Sequence, residues 1–184
     1  MRIEDVEGEL DRILLTEEEI LTKLDELARQ VEEDYKGKRV PLLVGVLKGA
    51  VVVLSDFAKA LNFHAEMDFM AVSSYGHGTK SSGVVRILKD LDADIHDRDV
   101  LIVEDIIDTG LTLSWLIENL ESRGAKSVKV LALLRKPDAM KVHVPVQYLG
   151  FDIPNEFVVG FGLDYAEKYR NLRAVAVLAK HVYS

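Results

Sequence analysis

The chain has 184 residues, of which 48% are hydrophobic and 29% charged, as expected for one globular domain with a buried core. Its 23 basic and 31 acidic side chains give a formal net charge of −8, which argues against broad nucleic-acid binding because that activity needs a basic surface. It lacks cysteine, which excludes disulfides and cysteine–zinc sites and fits a cytoplasmic protein. An acidic N-terminus without a long apolar run predicts no secretory signal, and no stretch approaches ~18 apolar residues, so we expect no membrane span.

In the first half of the chain, apolar spacing predicts helices and strands in alternation. Residues 16–35 have helical spacing, and Thr16 with Glu19 forms a capping-box pattern at the start. A strand at 41–47, a turn at Lys48-Gly49 and a helix at 50–61 follow. Further strands are expected at 66–73 and 84–88. The loop between them, 74–83, is rich in glycine and serine and is expected to be mobile.

The second half continues the alternation. It predicts a strand at 100–103, a helix at 111–123 that ends at Gly124, and a strand at 128–134. Shorter strands are expected at 147–150, 157–160 and 174–178.

This order predicts an α/β fold with a central parallel twisted sheet flanked by helices. The chain ends lie outside the alternation and are expected to form a small hood over the sheet. We therefore predict a single domain over 1–184, with a core at about 37–150 and a hood built from the N-terminal segment and about 151–184. Ligands of such folds bind at the carboxyl ends of the strands, where Lys48, Glu104 and Lys136 are expected to converge.

The most informative segment is 100–112, which reads Val-Leu-Ile-Val-Glu-Asp-Ile-Ile-Asp-Thr-Gly-Leu-Thr. It predicts a buried strand and then a loop at a helix N-terminus, where free N–H groups favour an anion and Gly110 allows close approach. An ordinary helix N-cap uses the same residue types. However, burying two acids such as Glu104 and Asp105 beside a core strand costs several kcal/mol of folding free energy unless they are ligated or paired. The segment therefore indicates a binding site for a phosphorylated sugar that carries hydroxyl groups and is accompanied by metal ions.

The segment contains neither a Walker P-loop nor a dinucleotide fingerprint. Over thirteen consecutive residues it resembles the 5-phosphoribosyl-1-pyrophosphate (PRPP) motif of the type I phosphoribosyltransferases. Leu47-Lys48-Gly49 resembles the pyrophosphate loop of their hypoxanthine-guanine branch, in which the peptide before the lysine can be cis. Ser74 and Tyr75, with the glycines after them, resemble the loop that closes over the reaction centre. From composition alone, these two segments also fit a plain turn and a surface hairpin.

Further resemblances concern the purine side of that branch, and the similarity extends over roughly 40–178. Lys136 resembles the lysine that recognises the purine 6-oxo group, and Phe157-Val158 resembles the purine-stacking segment. Gly162-Leu-Asp164 resembles the segment that holds a second magnesium ion, and Arg170 matches the pyrophosphate arginine. Without the family, such a lysine is usually solvated and such an aromatic residue usually lies in the core.

The resemblance implies Mg²⁺-dependent purine salvage, in which PRPP and hypoxanthine or guanine give IMP or GMP and pyrophosphate. It implies a homodimer or homotetramer, without nucleic-acid or membrane partners. The implied site residues are Asp108 as general base toward purine N7; Lys48, Gly49, Glu104, Asp105, Thr109, Gly110, Leu111, Thr112 and Arg170 for PRPP; Lys136, Phe157, Val158 and Asp164 for the purine; Ser74 and Tyr75 in the mobile loop; and Glu104, Asp105 and Asp164 for Mg²⁺.

Two alternatives remain open. Some proteins with a PRPP motif are regulators that bind nucleic acid and sense the sugar phosphate, but they often lack an acid at the position of Asp108. A phosphoribosyltransferase that prefers xanthine is the other alternative, because that preference depends on contacts around the purine 2-position. Adenine is expected to be rejected, because its 6-amino group and Lys136 are both hydrogen-bond donors and would face each other.

Overall fold

The computed structural model describes residues 1–75 and 84–184. The strands are β1 (Leu10–Leu15), β2 (Leu42–Leu47), β3 (Glu66–Tyr75), β4 (Val84–Lys89), β5 (Asp99–Ile107), β6 (Ser127–Arg135), β7 (Tyr148–Asp152), β8 (Val158–Val159) and β9 (Val175–Leu178). The α-helices are α1 (Glu17–Asp34), α2 (Ala50–Ala60), α3 (Leu111–Ser122) and α4 (Lys180–Tyr183). Short 3-10 helices occupy Ile3–Asp5, Glu7–Glu9 and Pro137–Ala139.

The larger sheet has six strands in the order β4-β3-β2-β5-β6-β7. Its strands are parallel except for β4, which runs antiparallel to β3 at one edge. This arrangement confirms the predicted α/β fold. The carboxyl ends of β2, β5 and β6 lie side by side, so the residues that follow these strands meet at one edge of the sheet.

Hydrophobic side chains cover both faces of this sheet. Because the central strands are buried on both sides, their sequences are continuous apolar runs rather than alternating patterns. The cluster that packs α1 and α2 against one face includes Ile20, Leu24, Phe57, Leu101 and Val103. The cluster that packs α3 against the opposite face includes Val100, Ile102, Leu113, Leu116 and Leu120.

The chain ends form a second, antiparallel sheet with the order β1-β9-β8. It is the expected hood, and it joins the start of the chain to its end through the pairing of β1 with β9. Strand β1 was not predicted, because only Leu15 of its six residues is buried and two adjacent charged side chains, Asp11 and Arg12, are exposed. The division into a core at about 37–150 and a hood stays a prediction.

The termini of two helices agree with their sequence signals. Thr16 caps α1: its hydroxyl accepts a hydrogen bond from the Glu19 N–H at 3.3 Å, and the Glu19 carboxylate accepts one from the Thr16 N–H at 2.8 Å. Gly124 follows α3 with φ +83°, a conformation that favours glycine. None of the described helices is long and apolar enough to cross a membrane.

Several predicted boundaries were wrong. The strand expected at 100–103 runs through both acids to Ile107, because its pairing with β6 continues to Arg135. The strand expected at 157–160 is reduced to β8, since Gly160 turns the chain with φ +96°. Ser74 and Tyr75 belong by their backbone to β3 rather than to a loop. The rest of the predicted mobile loop, 76–83, and the side chains of Ser74 and Tyr75 lie outside the described residues.

Candidate active site

Strand β5 carries two neighbouring acids to opposite sides of the sheet, because successive side chains of a strand alternate. Glu104 is buried and lines a cavity of about 130 Å³ together with Asp108, Thr109 and Thr112. Asp105 points the other way and lies directly against Gly49, where a Cβ atom would overlap its Oδ2. Its Oδ1 accepts a hydrogen bond from the Ile106 N–H at 2.7 Å. The pair therefore serves two adjoining compartments of one site.

Burial makes both acids hard to ionise. It raises the pKa of Glu104 well above its usual range, and the charge of neighbouring Asp105 adds to the effect. Burial also raises the pKa of Asp105 to about 6, with hydrogen bonding and Arg170 opposing the shift and Asp164 adding to it. Buried acids lose the hydrogen bonds that water would make to them. Two such acids therefore favour a ligand that is positively charged or carries hydroxyl groups, because that ligand replaces those hydrogen bonds.

The loop between β5 and α3 is shaped for an anion. Gly110 caps α3 with φ +80°, and a Cβ atom there would lie 3.0 Å from the Val142 carbonyl oxygen, so the loop packs closely on that segment. The first backbone bond of α3 runs from the Ser114 N–H to the Gly110 carbonyl at 2.9 Å. The earlier N–H groups of the helix have no helical carbonyl partner, and the adjacent Thr109 and Thr112 add hydroxyl groups.

Asp108 and Lys136 meet at the ends of neighbouring strands β5 and β6. The Lys136 Nζ lies 3.8 Å from an Asp108 carboxylate oxygen. The lysine side chain is almost buried, whereas the aspartate is open to solvent. The Lys136 N–H also donates to the Ile107 carbonyl at 2.9 Å, which fixes the lysine backbone against β5. A hydrogen-bond donor and a potential proton acceptor are thus presented together.

A turn of the hood closes the compartment that holds Asp105. Gly162 has φ +100°, and a Cβ atom there would overlap the carbonyl oxygen of Gly49. The Leu47–Lys48 peptide bond, just before Gly49, is cis. Arg170 donates to the Gly162 carbonyl at 2.9 Å and pairs with Asp164 at 2.8 Å. The turn therefore brings Arg170 and Asp164 beside the loop after β2.

The predicted purine-stacking residues lie at the edge of the hood. Val158 is buried in the cluster that also contains Ile106 and Leu163. Phe157 is 41% exposed, and its ring stacks on Tyr183 of the C-terminal helix. Apart from Ser74 and Tyr75, whose side chains lie outside the described residues, the other predicted site residues lie in or beside the two compartments on either side of β5.

Comparison with known proteins assigns the chain to a family. Residues 12–166 match the family model of the phosphoribosyl transferase domain. Over 181 residues the chain is 54% identical to a hypoxanthine-guanine phosphoribosyltransferase of Mycobacterium tuberculosis, covering 96% of this chain and 90% of that protein. A solved hypoxanthine phosphoribosyltransferase from Staphylococcus aureus has a TM-score of 0.93 and 47% identity, with 98% of this chain and 97% of that chain covered.

This chain belongs to the hypoxanthine-guanine phosphoribosyltransferases. It is an enzyme of purine salvage, as the resemblance of the 100–112 segment predicted. A second relative, the hypoxanthine-guanine phosphoribosyltransferase of Streptococcus thermophilus, is 52% identical over 179 residues and covers 97% of this chain and 99% of that protein.

The sequence did not identify Glu167 as part of this phosphoribosyltransferase site. Its carboxylate pairs with Lys48 at 3.0 Å and with Arg170 at 3.5 Å, so it joins the two cations that flank Gly49. Lys48 is the main cause that lowers the pKa of Glu167. Ala166 and Glu167 both adopt positive φ, which directs the side chain toward Lys48. No residue pattern signals that geometry, because neither residue is a glycine.

Carboxylates are the candidate metal donors of this phosphoribosyltransferase. Within residues 1–75 and 84–184, no three histidine, aspartate or glutamate side chains form a ready cluster for a metal ion. Oxygen donors from one or two carboxylates, completed by substrate phosphates and water, are how proteins usually hold Mg²⁺. The donors available in Glu104, Asp105 and Asp164 fit that ion.

Proposed function

We propose that this enzyme transfers the 5-phosphoribosyl group of PRPP to hypoxanthine or guanine, giving IMP or GMP and pyrophosphate, with Mg²⁺ as cofactor. The observation that carries the proposal is the juxtaposition of three features around β5: the Asp108–Lys136 pair, the anion loop at the start of α3, and the cations beside Gly49. The pair is placed to bind the purine, the loop to bind the 5′-phosphate, and the cations to bind the pyrophosphate.

The sugar phosphate spans both compartments. Its 5′-phosphate accepts hydrogen bonds from the first N–H groups of α3 and from hydroxyls in the loop, formed by Thr109, Gly110, Leu111 and Thr112. Glu104 and Asp105 accept hydrogen bonds from the ribose hydroxyls, either directly or through Mg²⁺. As the bond from C1 to the leaving oxygen breaks, positive charge develops on the ribose, and these buried carboxylates stabilise it.

The pyrophosphate lies between the loop after β2 and the hood turn. Lys48 and Arg170 supply positive charge, and Gly49 allows the phosphate to approach the backbone. Glu167 pairs with both cations, so the pyrophosphate would replace that acid as their partner.

The purine is oriented by the ion pair at the ends of β5 and β6. Asp108 accepts or holds the proton of purine N7, which makes the base a better nucleophile. Lys136 donates to the 6-oxo group, and Phe157 and Val158 contact the ring. Adenine presents a donor at the same position and is excluded, because two donors would face each other.

Mg²⁺ would be held by Glu104 or Asp105 on the ribose side and by Asp164 on the pyrophosphate side. When bound, it neutralises negative charge on the leaving pyrophosphate. Burial raises the pKa of Asp105, and a bound cation would favour its ionised form.

Pyrophosphate release tests this proposal. The enzyme is supplied with PRPP and Mg²⁺ and then, in parallel, with hypoxanthine, guanine, xanthine, adenine or uracil. We expect turnover of hypoxanthine and guanine only, and loss of that turnover with a chelator. Faster turnover of xanthine would support the xanthine-preferring alternative. PRPP binding without turnover of any base, together with binding of nucleic acid, would support the regulator instead.

We also propose that the enzyme forms a homodimer or homotetramer and acts in the cytoplasm, as the family resemblance implies. Light scattering on the eluting chromatography peak measures the mass of the assembly directly. A monomeric mass at assay concentration contradicts the oligomer.

A further inference from the structure

The C-terminal helix places an aromatic ring on Phe157. The rings of Phe157 and Tyr183 are stacked, with centroids 5.1 Å apart and planes inclined by 26°. The Tyr165 ring lies nearly perpendicular to the Phe157 ring, with centroids 5.8 Å apart and an interplanar angle of 87°. It also meets the Tyr183 ring edge-on at 6.3 Å. Such offset and edge-on pairs are the arrangements that aromatic rings favour.

Backbone bonds and an apolar anchor fix this contact. The Leu178 N–H donates to the Phe157 carbonyl at 3.0 Å, so the phenylalanine backbone is tied to the strand that leads into α4. The Ala179 N–H donates to the Glu9 carbonyl at 2.9 Å and ties the start of α4 to the N-terminal segment. Val182 packs in a cluster with Val159, Leu178 and Tyr165. The helix is therefore held in place by groups other than the two stacked rings.

The stacking leaves one side of Phe157 open. Tyr183 stacks on one face and Tyr165 packs nearly perpendicular to the ring, yet 41% of Phe157 remains exposed. A planar ring has two faces, so with Tyr183 stacked on one of them a base that stacks on Phe157 must take the other. A single stacked purine needs one such face. Without a neighbour on the covered face, the side chain of Phe157 would have more freedom to rotate about its χ angles.

We propose that Tyr183 is a positioning residue for the purine: it stacks on one face of Phe157 and holds that ring so that the opposite face receives the base. The proposal rests on the purine-stacking function given to Phe157 above. It adds the last helix of the chain to purine recognition, although Tyr183 itself does not touch the substrate.

Steady-state kinetics of Tyr183→Ala test the proposal. We expect the KM for hypoxanthine to rise by about threefold to tenfold, the range expected when an aromatic pair is lost. The KM for PRPP and kcat are expected to stay within about twofold of the unmodified enzyme, because the phosphate loop and Asp108 are unaffected. Tyr183→Phe keeps the ring and is expected to restore the original KM for hypoxanthine.

Two further variants separate positioning from general damage. His181→Ala changes an exposed residue of the same helix and is expected to leave both KM values unchanged. Tyr183→Leu keeps an apolar side chain without a ring, so it reports on stacking even if the alanine variant unfolds. It is expected to raise the KM for hypoxanthine as Tyr183→Ala does.

Three results would overturn the inference. An unchanged KM for hypoxanthine in both ringless variants means that Phe157 needs no support. A lower KM means that Tyr183 obstructs the base, and an equal rise in the KM for PRPP means that α4 has only a structural role. Failure of the proposed function is distinguishable, because the unmodified enzyme would then turn over no 6-oxopurine.

Discussion

Replacing Gly49 by alanine tests whether close packing of the loop after β2 on Asp105 is essential. The added Cβ would overlap the carboxylate Oδ2 of Asp105, and it would lie 2.8 Å from the Cγ and 3.4 Å from the Gly162 carbonyl oxygen. Ordinary contact begins at 3.4 Å, so the Oδ2 atom, which the added Cβ would overlap, must shift by roughly 1.7 Å. That movement strains the 2.7 Å hydrogen bond that the carboxylate accepts from the Ile106 N–H.

The expected magnitude follows from overpacking. Extra methyl groups in well-packed sites cost about 1–3 kcal/mol of unfolding free energy. In a protein of this size each kcal/mol lowers Tm by about 2–4 °C, so we expect Gly49→Ala to lower Tm by roughly 2–12 °C. A misplacement of about 1 Å in a binding site costs about 10²-fold in rate, so kcat/KM for PRPP is expected to fall by at least roughly that factor.

The measurements are a thermal melt and PRPP kinetics at saturating hypoxanthine. Gly8→Ala is the matched control, because no atom lies within 4 Å of a Cβ added there. It is expected to change the unfolding free energy by less than about 0.5 kcal/mol. An unchanged Tm and kcat/KM in Gly49→Ala would refute the packing argument. A lower Tm with unchanged PRPP kinetics would refute only the function given to Asp105.

Three other variants test individual side chains. The folded protein retains the Asp105 proton up to about pH 6 while the unfolded chain, with the ordinary pKa of 3.8, releases it, so this group makes stability fall as pH rises from about 4 to 6. The unfolding free energy of Asp105→Asn relative to the unmodified protein is therefore expected to rise across that window, by at most about 3 kcal/mol in denaturant titrations, and a constant difference contradicts the burial argument. Asp108→Asn is expected to slow turnover by about 10²–10⁴, the range for a lost general base, and near-normal turnover rejects that function. Lys136→Ala is expected to raise the KM for hypoxanthine far more than the KM for PRPP, whereas equal changes in both argue against recognition of the 6-oxo group.

Features specified by local residue patterns were predictable from the sequence. The four apolar residues of 100–103 indicated a strand buried on both faces, and the acids after them marked the site. Thr16 with Glu19 located the start of α1, and Gly124 located the end of α3, because caps depend on a few neighbouring residues. The parallel order of the central strands followed from the alternation of helices and strands.

Features that depend on contacts between distant segments were not predictable. Strand β1 exists because the chain end supplies β9 as its partner, and its own residues give no clear alternation. Glu167 reaches Lys48 only because the hood turn adopts positive φ. The stacking of Tyr183 on Phe157 joins two segments whose spacing in the sequence carries no periodic signal.

The most direct test of the proposed site is a crystal structure of the enzyme with PRPP and Mn²⁺ in place of Mg²⁺, without a purine. We expect the 5′-phosphate on the loop of residues 109–112, the pyrophosphate against Gly49 and Arg170, and anomalous Mn²⁺ signal beside the ribose and pyrophosphate near the acids of β5 and Asp164. PRPP bound elsewhere, with no phosphate on the loop before α3, would contradict the account.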